Sequence, residues 1–360
     1  MTSHEDALGS DRPIAPGEYL RDELAVRQMS QTELARRMGR PTQAVNEIIN
    51  GKKALTLETA LELERVLDTS ASVWINLEAE YQLALARRAE AEDLESQAEW
   101  LDRFPVREME RRGWIDSGAG PGEKVRSLLQ FFGVASFSSW DEYQQALGFR
   151  ITGKAKIDSG ALAAWVRRGE LEGGDIATAD YDELRFRQVL DLARALTTRA
   201  PESAWAELQE SCAGAGVAAV MVREFPKIGA NGVARWLTRK KALIQLNLRY
   251  SWADIFWFTF FHEAAHVLMH GTRRVFVEIE GNPRRDPLES EANHVAEQLL
   301  IPSDAWERFI LQSDFDAKSV VALAGEIGIH AGIIVGRLQH LGLIPWGSNL
   351  NSIRTRLTWA

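Results

Sequence analysis

The sequence predicts a mainly α-helical protein with a small α+β domain in its carboxy-terminal half. Capped amphipathic segments follow one another over residues 15–85, and charges recur at helical spacing over residues 84–112. Strand patterns between residues 217 and 248 then lead into a strongly apolar helix. We expect a helix-turn-helix bundle in 1–86, a helical linker and middle region in 87–204, a mixed domain in 205–346, and a loosely ordered tail in 347–360.

Composition excludes several classes of protein. The net charge is −9, so any DNA contact must come from a local basic patch rather than from the chain as a whole. Cys212 is the only cysteine, which excludes an intrachain disulfide and a cysteine-rich zinc site and fits a reducing cytoplasm. The first residues show no secretory signal, and the most apolar window is too short and too polar for a bilayer. We therefore expect a cytoplasmic protein without membrane contact.

Residues 30–51 predict two short helices joined by a tight turn. Ser30 and Glu33 form a capping-box pattern at the start of the first helix, and Gly39 is a stop signal at its end. A second helix over 42–50 stops at Gly51. The apolar positions that would pack where the helices cross are Leu34, Ala35, Met38, Val45, Ile48 and Ile49. This spacing is typical of a helix-turn-helix.

The second of these helices carries side chains suited to base recognition. Thr42, Gln43 and Asn46 can hydrogen-bond to base edges in the major groove. The segment from Arg27 to Lys53 contains six basic and two acidic residues, which gives a local net charge of +4. The residues predicted to contact phosphates are Gln31, Arg40, Lys52 and Lys53. The pattern favours a DNA-binding domain over the alternative, a five-helix bundle with a solvated polar helix.

Residues 14–86 also resemble a known family, the Xre-type helix-turn-helix of HigA-like antitoxins. The resemblance is carried by MSQTELARRMGRPTQAVNEIINGKKALTLETALELERVL and, further on, by Val73–Leu77 and Tyr81. It implies a dimeric domain that binds a double-stranded DNA operator, with base contacts at Thr42, Gln43 and Asn46. The Arg40-Pro41 pair at the turn departs from the family's usual pattern.

The middle region predicts helices without a chemical motif. A charged linker helix breaks near Pro105, and a glycine-rich loop covers 116–122. Predicted helices follow at 123–132, 140–147, 160–168 and 182–196. Trp140, Trp165 and Phe186 are interpreted as core residues rather than as a platform for stacking a cofactor.

The strongest chemical signal is the H-E-x-x-H run that begins at His262. In a helix, His262 and His266 are about 40° apart in rotation and about 6 Å apart along the axis, so both imidazoles aim at one point. Two histidine nitrogens are half of a tetrahedral zinc site. Glu263 lies beside that point, where a general base for an activated water is needed. The alternative, a helix with two histidines by chance, does not account for the residues downstream.

A catalytic zinc needs a third protein ligand. The downstream possibilities are Glu278, Glu280, Glu289, Glu291, His270 and His294. In the helix predicted over 286–302, Glu289 and Asn293 share one face, whereas Glu291 is about 200° from Glu289. We prefer Glu289 as the ligand and Asn293 as the amide that holds it or a histidine. The alternative is that Glu289 and Glu291 are both solvated helix charges.

This second region resembles the ImmA/IrrE metallopeptidases. The motifs are GVARWLTRKKALIQLNLRYSWADIFWFTFFHEAAHVLMHG and LESEANHVAEQLLIP, within residues 205–345. The resemblance implies a gluzincin-like zincin fold with a Zn²⁺ cofactor held by His262, His266 and Glu289, and a base at Glu263. Segments 127–134 and 160–170 are similar to longer members that fuse the peptidase to an antitoxin-like DNA-binding domain. Many relatives have Leu-Gly where this chain has Ala264-Ala265.

Other parts of the site have weaker signals. Tyr250, His330 and His340 are possible oxyanion donors, with a structural role favoured for each. We interpret 271–287 as a mobile loop beside the site and the helices over 319–341 as packing elements.

Two functions fit these predictions. The first is a DNA-binding regulator with a zinc metalloendopeptidase of narrow range, which cleaves a specific repressor or regulator in a stress, toxin–antitoxin or mobile-element response. The second is a DNA-binding antitoxin or repressor whose metal domain senses a signal, or binds a partner such as a toxin, without proteolysis. An intact Glu263 favours the first, because a metal sensor needs no base.

Overall fold

The computed structural model describes residues 14–117, 120–146, 157–269, 271, 276–279, 287–312 and 315–359. They fall into two compact units. The first holds the described residues of Met1–Ala98 and Ala119–Val125, and the second those of Glu99–Gly118 and Arg126–Ala360. The architecture is mainly α with one small sheet, as the sequence predicts.

Among its described residues, the first unit contains five complete helices, which are α1 Pro16–Val26, α2 Gln31–Met38, α3 Thr42–Ile49, α4 Leu57–Leu67 and α5 Ala71–Ser96. The side chain of Ser30 accepts a hydrogen bond from the amide of Glu33, and Gly39 ends α2 with a φ of 68°. Five of the six predicted apolar positions are buried in one core, and Met38 packs against it. A Cβ at Gly17 would lie 2.2 Å from the carbonyl oxygen of Ile48, so the approach of α1 to α3 requires glycine.

Helices continue into the second unit after a 3₁₀ turn at Ala98–Arg103, and the predicted break near Pro105 is confirmed. The described helices of this part of the chain are α6 Val106–Arg111, α7 Pro121–Phe132 (whose residues up to Val125 belong to the first unit), α8 Phe137–Ala146, α9 Ser159–Asp175, α10 Glu183–Leu196 and α11 Pro201–Gly214. The last was not predicted. Trp140, Trp165 and Phe186 are buried, as expected for core residues, and Trp165 donates from its indole to the carbonyl of Val222 at 2.9 Å.

In the part of the chain that the structure describes, the sheet has four strands, β1 Val217–Met221, β2 Ala230–Thr238, β3 Lys241–Leu246 and β4 Phe276–Ile279, in the order β1-β3-β2-β4. β1 pairs parallel with β3, and β2 is antiparallel to both β3 and β4. β4 corrects the prediction of a loop over 271–287, because strand pairing with β2 depends on residues distant in sequence. The rest of that segment, except for residues 271 and 287, lies outside the described residues.

The core of the second unit is organised around α12 Ala253–Met269. The helices described after it are α13 Pro287–Leu300, α14 Ser303–Leu311, α15 Ala317–Ile327 and α16 Ala331–His340, and a 3₁₀ turn follows at Asn349–Ile353. α12 contacts β2 and β3 as well as α13 and α16. Most residues of this helix are buried, because it has packing partners on several sides.

The carboxy-terminal segment is also ordered, which corrects the expectation of a loose tail. Leu350 and Leu357 are buried in the core of the second unit. Arg354 makes a two-pronged ion pair with Asp254 on α12, at 3.0 and 2.8 Å, and both side chains are at most 5% exposed. This contact joins residues 100 positions apart, so no local pattern predicts it.

Within the described ranges, no single helix is long and apolar enough to cross a membrane. Among the described helices, the pair α15 and α16, bent by 117°, is long and apolar enough only when the two helices are taken together.

Candidate metal centre and DNA-binding helix

α12 places His262 and His266 one turn apart on the same face. Both side chains are buried, at 0% and 1% exposure, and their Nε2 atoms lie 3.0 Å from each other. The sequence folds this way because the run from Phe256 to Val267 is apolar apart from the site residues and Thr259, so packing on several sides holds the helix in the core. The imidazoles therefore point to one position, as the spacing predicts.

α13 brings a carboxylate to the same position. Oε2 of Glu289 lies 3.1 Å from Nε2 of His262 and 3.4 Å from Nε2 of His266. One turn later on α13, Oδ1 of Asn293 lies 3.0 Å from Nδ1 of His262. The three donors form a compact cluster of the kind that could hold a metal ion. The structure thus brings together the four residues predicted around the metal.

The protonation pattern is set by Asn293. Because its Oδ1 accepts, Nδ1 of His262 carries the proton, and Nε2 of His262 presents a lone pair to Glu289 and His266. Burial on its own raises the pKa of Glu289, but the adjacent side chains of His262 and His266 outweigh it and bring the pKa to about 2. Glu289 is therefore a carboxylate at neutral pH. Together with His262 and His266 it forms a group of electron-pair donors that would stabilise a cation at one position.

Glu263 is fully buried and packs closely under strand β2. A Cβ built on Gly232 would lie 2.6 Å from Oε1 of Glu263 and 2.7 Å from Cγ2 of Thr259. Gly232 is thus the residue that lets β2 approach the Glu263 side chain. Our reading of the sequence missed Gly232, although a glycine inside a strand pattern signals a close approach of this kind.

The remaining ligand candidates are placed differently. Glu291 and His294 are exposed on α13, and His294 pairs with Gln298 at 3.0 Å. His270 and Glu280 lie outside the described residues, as does the side chain of Glu278.

Of the three possible oxyanion donors, His330 has a structural role. Its Nδ1 accepts a hydrogen bond from the amide of Gly332 and caps α16, as the structural interpretation expects. His340 is exposed at the end of the same helix.

In the first unit, α3 presents the predicted base-reading side chains to solvent. Thr42, Gln43 and Asn46 are exposed. The amide of Asn46 donates to the side chain of Gln31 at 3.1 Å, which joins the middle of α3 to the start of α2. Gln43 donates to Glu47 at 3.0 Å. These two hydrogen bonds hold the exposed amide side chains of Gln43 and Asn46 in place on the surface of the helix-turn-helix.

The predicted phosphate contacts divide into two groups. Lys52 and Lys53 are exposed after the end of α3. Arg40, in contrast, is only 19% exposed and pairs with Glu62 on α4 at 2.5 Å and with Glu58 at 3.5 Å. In the structure the charge of Arg40 is thus compensated inside the unit, and its contact with phosphate stays a prediction. Its physical role is to join the turn to α4.

Comparison with known proteins finds a matching family model for each of two separate parts of the chain. A model of the Helix-turn-helix family matches residues 24–74, and a model of the IrrE N-terminal-like domain, an M78 peptidase family, matches residues 217–339. The protein is thus of the class that joins a helix-turn-helix regulator domain to a peptidase-like domain. The chain thus contains a helix-turn-helix domain in its first part and an IrrE N-terminal-like domain in its second.

Individual relatives are similar to a smaller part of the chain. Virulence-associated protein I of Dichelobacter nodosus is 34% identical over 76 residues, which is 21% of this chain and 70% of that protein. The HTH-type transcriptional regulator YddM of Escherichia coli (strain K12) is 33% identical over 73 residues, 20% of this chain and 78% of its own.

Among solved structures, the Pseudomonas aeruginosa antitoxin HigA with the higBA promoter is 41% identical. The match covers 23% of this chain and 90% of HigA, with a TM-score of 0.22. A HigA-family antidote protein from Coxiella burnetii is 36% identical over 24% of this chain and 94% of its own, with a TM-score of 0.23.

Proposed function

We propose that the chain is a DNA-binding transcriptional regulator whose second part is a zinc metalloendopeptidase of narrow substrate range. Residues 1–86 bind an operator as a homodimer, and residues 205–346 cleave a specific protein, a repressor or another regulator. The observation that carries the peptidase proposal is the triangle of donors formed by His262, His266 and Glu289, with edges of 3.0, 3.1 and 3.4 Å.

The size of this triangle fits zinc. In a tetrahedral site with metal–ligand distances of about 2.0–2.1 Å, neighbouring ligand atoms are about 3.3–3.4 Å apart. The observed edges of 3.0–3.4 Å are close to that value. Two imidazole nitrogens and one carboxylate oxygen are also a donor set of catalytic zinc sites, in which the fourth position takes water or substrate.

Glu263 supplies the acid–base chemistry. When bound, zinc lowers the pKa of a water molecule and polarises a carbonyl. The carboxylate of Glu263 takes the proton of the attacking water and then gives it to the leaving amine of the cleaved peptide bond. Burial around Glu263 and His262 excludes bulk water, which strengthens each electrostatic interaction at the site. Asn293 fixes the ring of His262 throughout.

DNA binding is supported by the family match over residues 24–74 and by the exposed side chains of α3. Thr42, Gln43 and Asn46 face solvent where a recognition helix contacts base edges. Lys52 and Lys53 add positive charge beyond the end of that helix. In a chain with a net charge of −9, this local patch provides the attraction for phosphates.

Metal content measured by mass spectrometry tests the proposed site. The wild-type protein is expected to hold about one zinc per chain, and Glu289→Ala is expected to lose it, because two histidines alone form an incomplete site. Glu291→Ala is the matched control, since Glu291 lies on the same helix and is exposed. A wild-type protein that stays free of metal after zinc addition would overturn the peptidase proposal.

In a second candidate function, the domain binds the metal ion but does not cleave a protein. The fusion of both domains in one chain also suits a repressor or antitoxin whose metal domain binds a signal or a partner. Retained zinc together with regulation that does not depend on Glu263 would favour this function.

A further inference from the structure

The second unit contains a cavity that the peptidase chemistry does not use. Its volume is about 550 Å³, and its wall includes residues of α12, α13, α16 and the carboxy-terminal segment. Aromatic and aliphatic side chains form much of this wall, among them Trp252, Phe258, Ile333 and Trp346. A volume of this size is in the range of small-molecule sites, and an apolar wall with a few polar groups is their usual composition.

The cavity is next to the metal centre but separate from it. None of the three donors, nor Glu263, belongs to its wall. Phe258 does, and its ring centroid is 6.3 Å from that of His262. Thr259 also belongs to the wall, and it packs with Glu263 around the same point above Gly232. An occupant of the cavity would therefore contact Phe258 and Thr259, which lie next to His262 and Glu263.

The charges in the wall select an uncharged occupant. Asp254 pairs with Arg354 at 2.8 Å, and Glu297 pairs with Arg337 at 3.0 Å. Both ion pairs are compensated within the protein, so a charged ligand would lose its hydration without gaining a counter-charge.

Hydrogen-bonding capacity nevertheless remains in the wall. Among the described residues, Oδ1 of Asn231 and the Nε and Nη1 atoms of Arg337 are buried without a hydrogen-bond partner. Unpaired buried polar atoms are costly, so a ligand that pairs with one of them is favoured. The occupant that fits is thus apolar over most of its surface and carries at least one polar group.

We propose that this cavity binds an uncharged aromatic or alicyclic small molecule, and that its occupancy is transmitted to the metal centre through Phe258 and Thr259. The molecule would act as an effector of the second unit. Binding itself needs neither zinc nor peptidase activity, so the site goes beyond the proposed function and is testable without it.

The uncharged dye Nile red is a suitable probe, because its fluorescence rises in apolar surroundings. We expect saturable binding at one site per chain in both the zinc-loaded and the chelated protein. Ile333→Phe narrows the cavity, and Trp346→Ala removes a wall residue that is 64% exposed and therefore carries little of the core packing. Trp346→Ala is expected to weaken binding by about tenfold, the effect of losing an aromatic contact. Ile333→Phe is expected to weaken it by a similar factor, because the larger side chain takes up volume that the ligand needs.

Leu341→Ala is the matched control, because Leu341 is 48% exposed nearby in the chain and is not part of the wall. It should bind the dye like the wild type. Equal affinities for all four proteins would overturn the proposal. So would displacement of the dye by a short aromatic peptide but by no uncharged small molecule, since the cavity would then be a substrate subsite.

The link to the metal centre has its own measurement. If the dye changes the affinity for zinc, zinc must change the affinity for the dye by the same factor. We expect this factor to be about threefold or larger, measured by chelator competition with and without dye. A factor of one in both directions would overturn the transmission step.

Discussion

Asn293 holds His262 from the side opposite the metal position, with 3.0 Å between Oδ1 of Asn293 and Nδ1 of His262. Asn293 comes from α13, four residues after Glu289, so one turn of one helix supplies both the carboxylate and the amide. The amide oxygen fixes the tautomer and the ring plane of His262. As a result, Nε2 of His262 faces Glu289 with its lone pair.

Asn293→Ala tests this relationship. Without the amide, the ring of His262 can rotate and its tautomer is no longer fixed, so we expect the affinity for zinc to fall by about 10–100-fold while the fold is retained. Competition with a chromogenic chelator measures the affinity. Gln298→Ala is the control, because Gln298 is exposed on the same helix. Equal affinities of the wild type and Asn293→Ala would exclude the orienting role.

Glu263→Gln separates cleavage from metal binding. The substitution keeps the shape of the side chain but removes its proton-accepting capacity, so we expect zinc content to stay unchanged and cleavage to slow by about 10²–10⁴-fold. Release of repression from the operator that the chain binds, followed in a reporter strain beside zinc content, reads out both effects. Unchanged release with zinc retained would show that the domain acts as a sensor rather than as a peptidase.

Gly232→Ala should disturb Glu263 without touching a metal donor. The added Cβ would lie 2.6 Å from Oε1 of Glu263 and 2.7 Å from Thr259, so the carboxylate must move. We expect slower cleavage, a full complement of zinc, and a free energy of unfolding lower by about 1–3 kcal/mol, the usual cost of overpacking. Gly174→Ala is the control, because a Cβ there meets nothing within 4 Å. Wild-type cleavage by Gly232→Ala would show that Glu263 tolerates the displacement.

Local patterns predicted much of the fold and the centre of the site. The helix over 253–269, the convergence of His262 and His266, and the pairing of Glu289 with Asn293 all follow from helical spacing over four residues. The caps at Ser30 and Gly39 are equally local. Such features can be read from a sequence because the chain itself brings the residues together.

Contacts between distant residues account for what the sequence did not predict. Strand β4 exists through its pairing with β2, and Arg354 is ordered by Asp254, 100 positions earlier. Arg40 is of a residue type that often contacts phosphates, but Glu62 on α4 compensates its charge. In each case the partner is determined by tertiary packing, about which periodicity carries no information.

Cys212 gives a pH dependence with a definite sign. Complete burial raises the pKa of its thiol from 9.0 to about 12, whereas in the unfolded chain the group titrates near its ordinary value. The folded state therefore holds the proton more tightly. Its contribution to stability is fully present below about pH 8.5 and is lost as the pH rises toward 12, by up to about 1.4 kcal/mol per pH unit.

The measurement is urea unfolding between pH 7 and pH 10, with Cys212→Ala as the reference. The wild type should lose stability more steeply above about pH 8.5 than the variant, which has no thiol to ionise. At pH 9 the native thiol should also react slowly with iodoacetamide and the urea-unfolded one quickly. Parallel pH profiles for the two proteins would contradict a raised pKa at this position.

The prediction that the first unit binds DNA is best tested at Lys52 and Lys53. Both are exposed beyond the end of α3, whereas Arg40 is paired with Glu62. Each Lys→Ala change should weaken binding to a random-sequence duplex and reduce the slope of log affinity against log salt by about one, the effect of one lost phosphate contact. Fluorescence anisotropy over a salt series measures both quantities. Lys318→Ala, an exposed change in the second unit, should leave the slope unchanged. If Lys52→Ala and Lys318→Ala gave the same slope as the wild type, the phosphate contact would have to be sought elsewhere in the first unit.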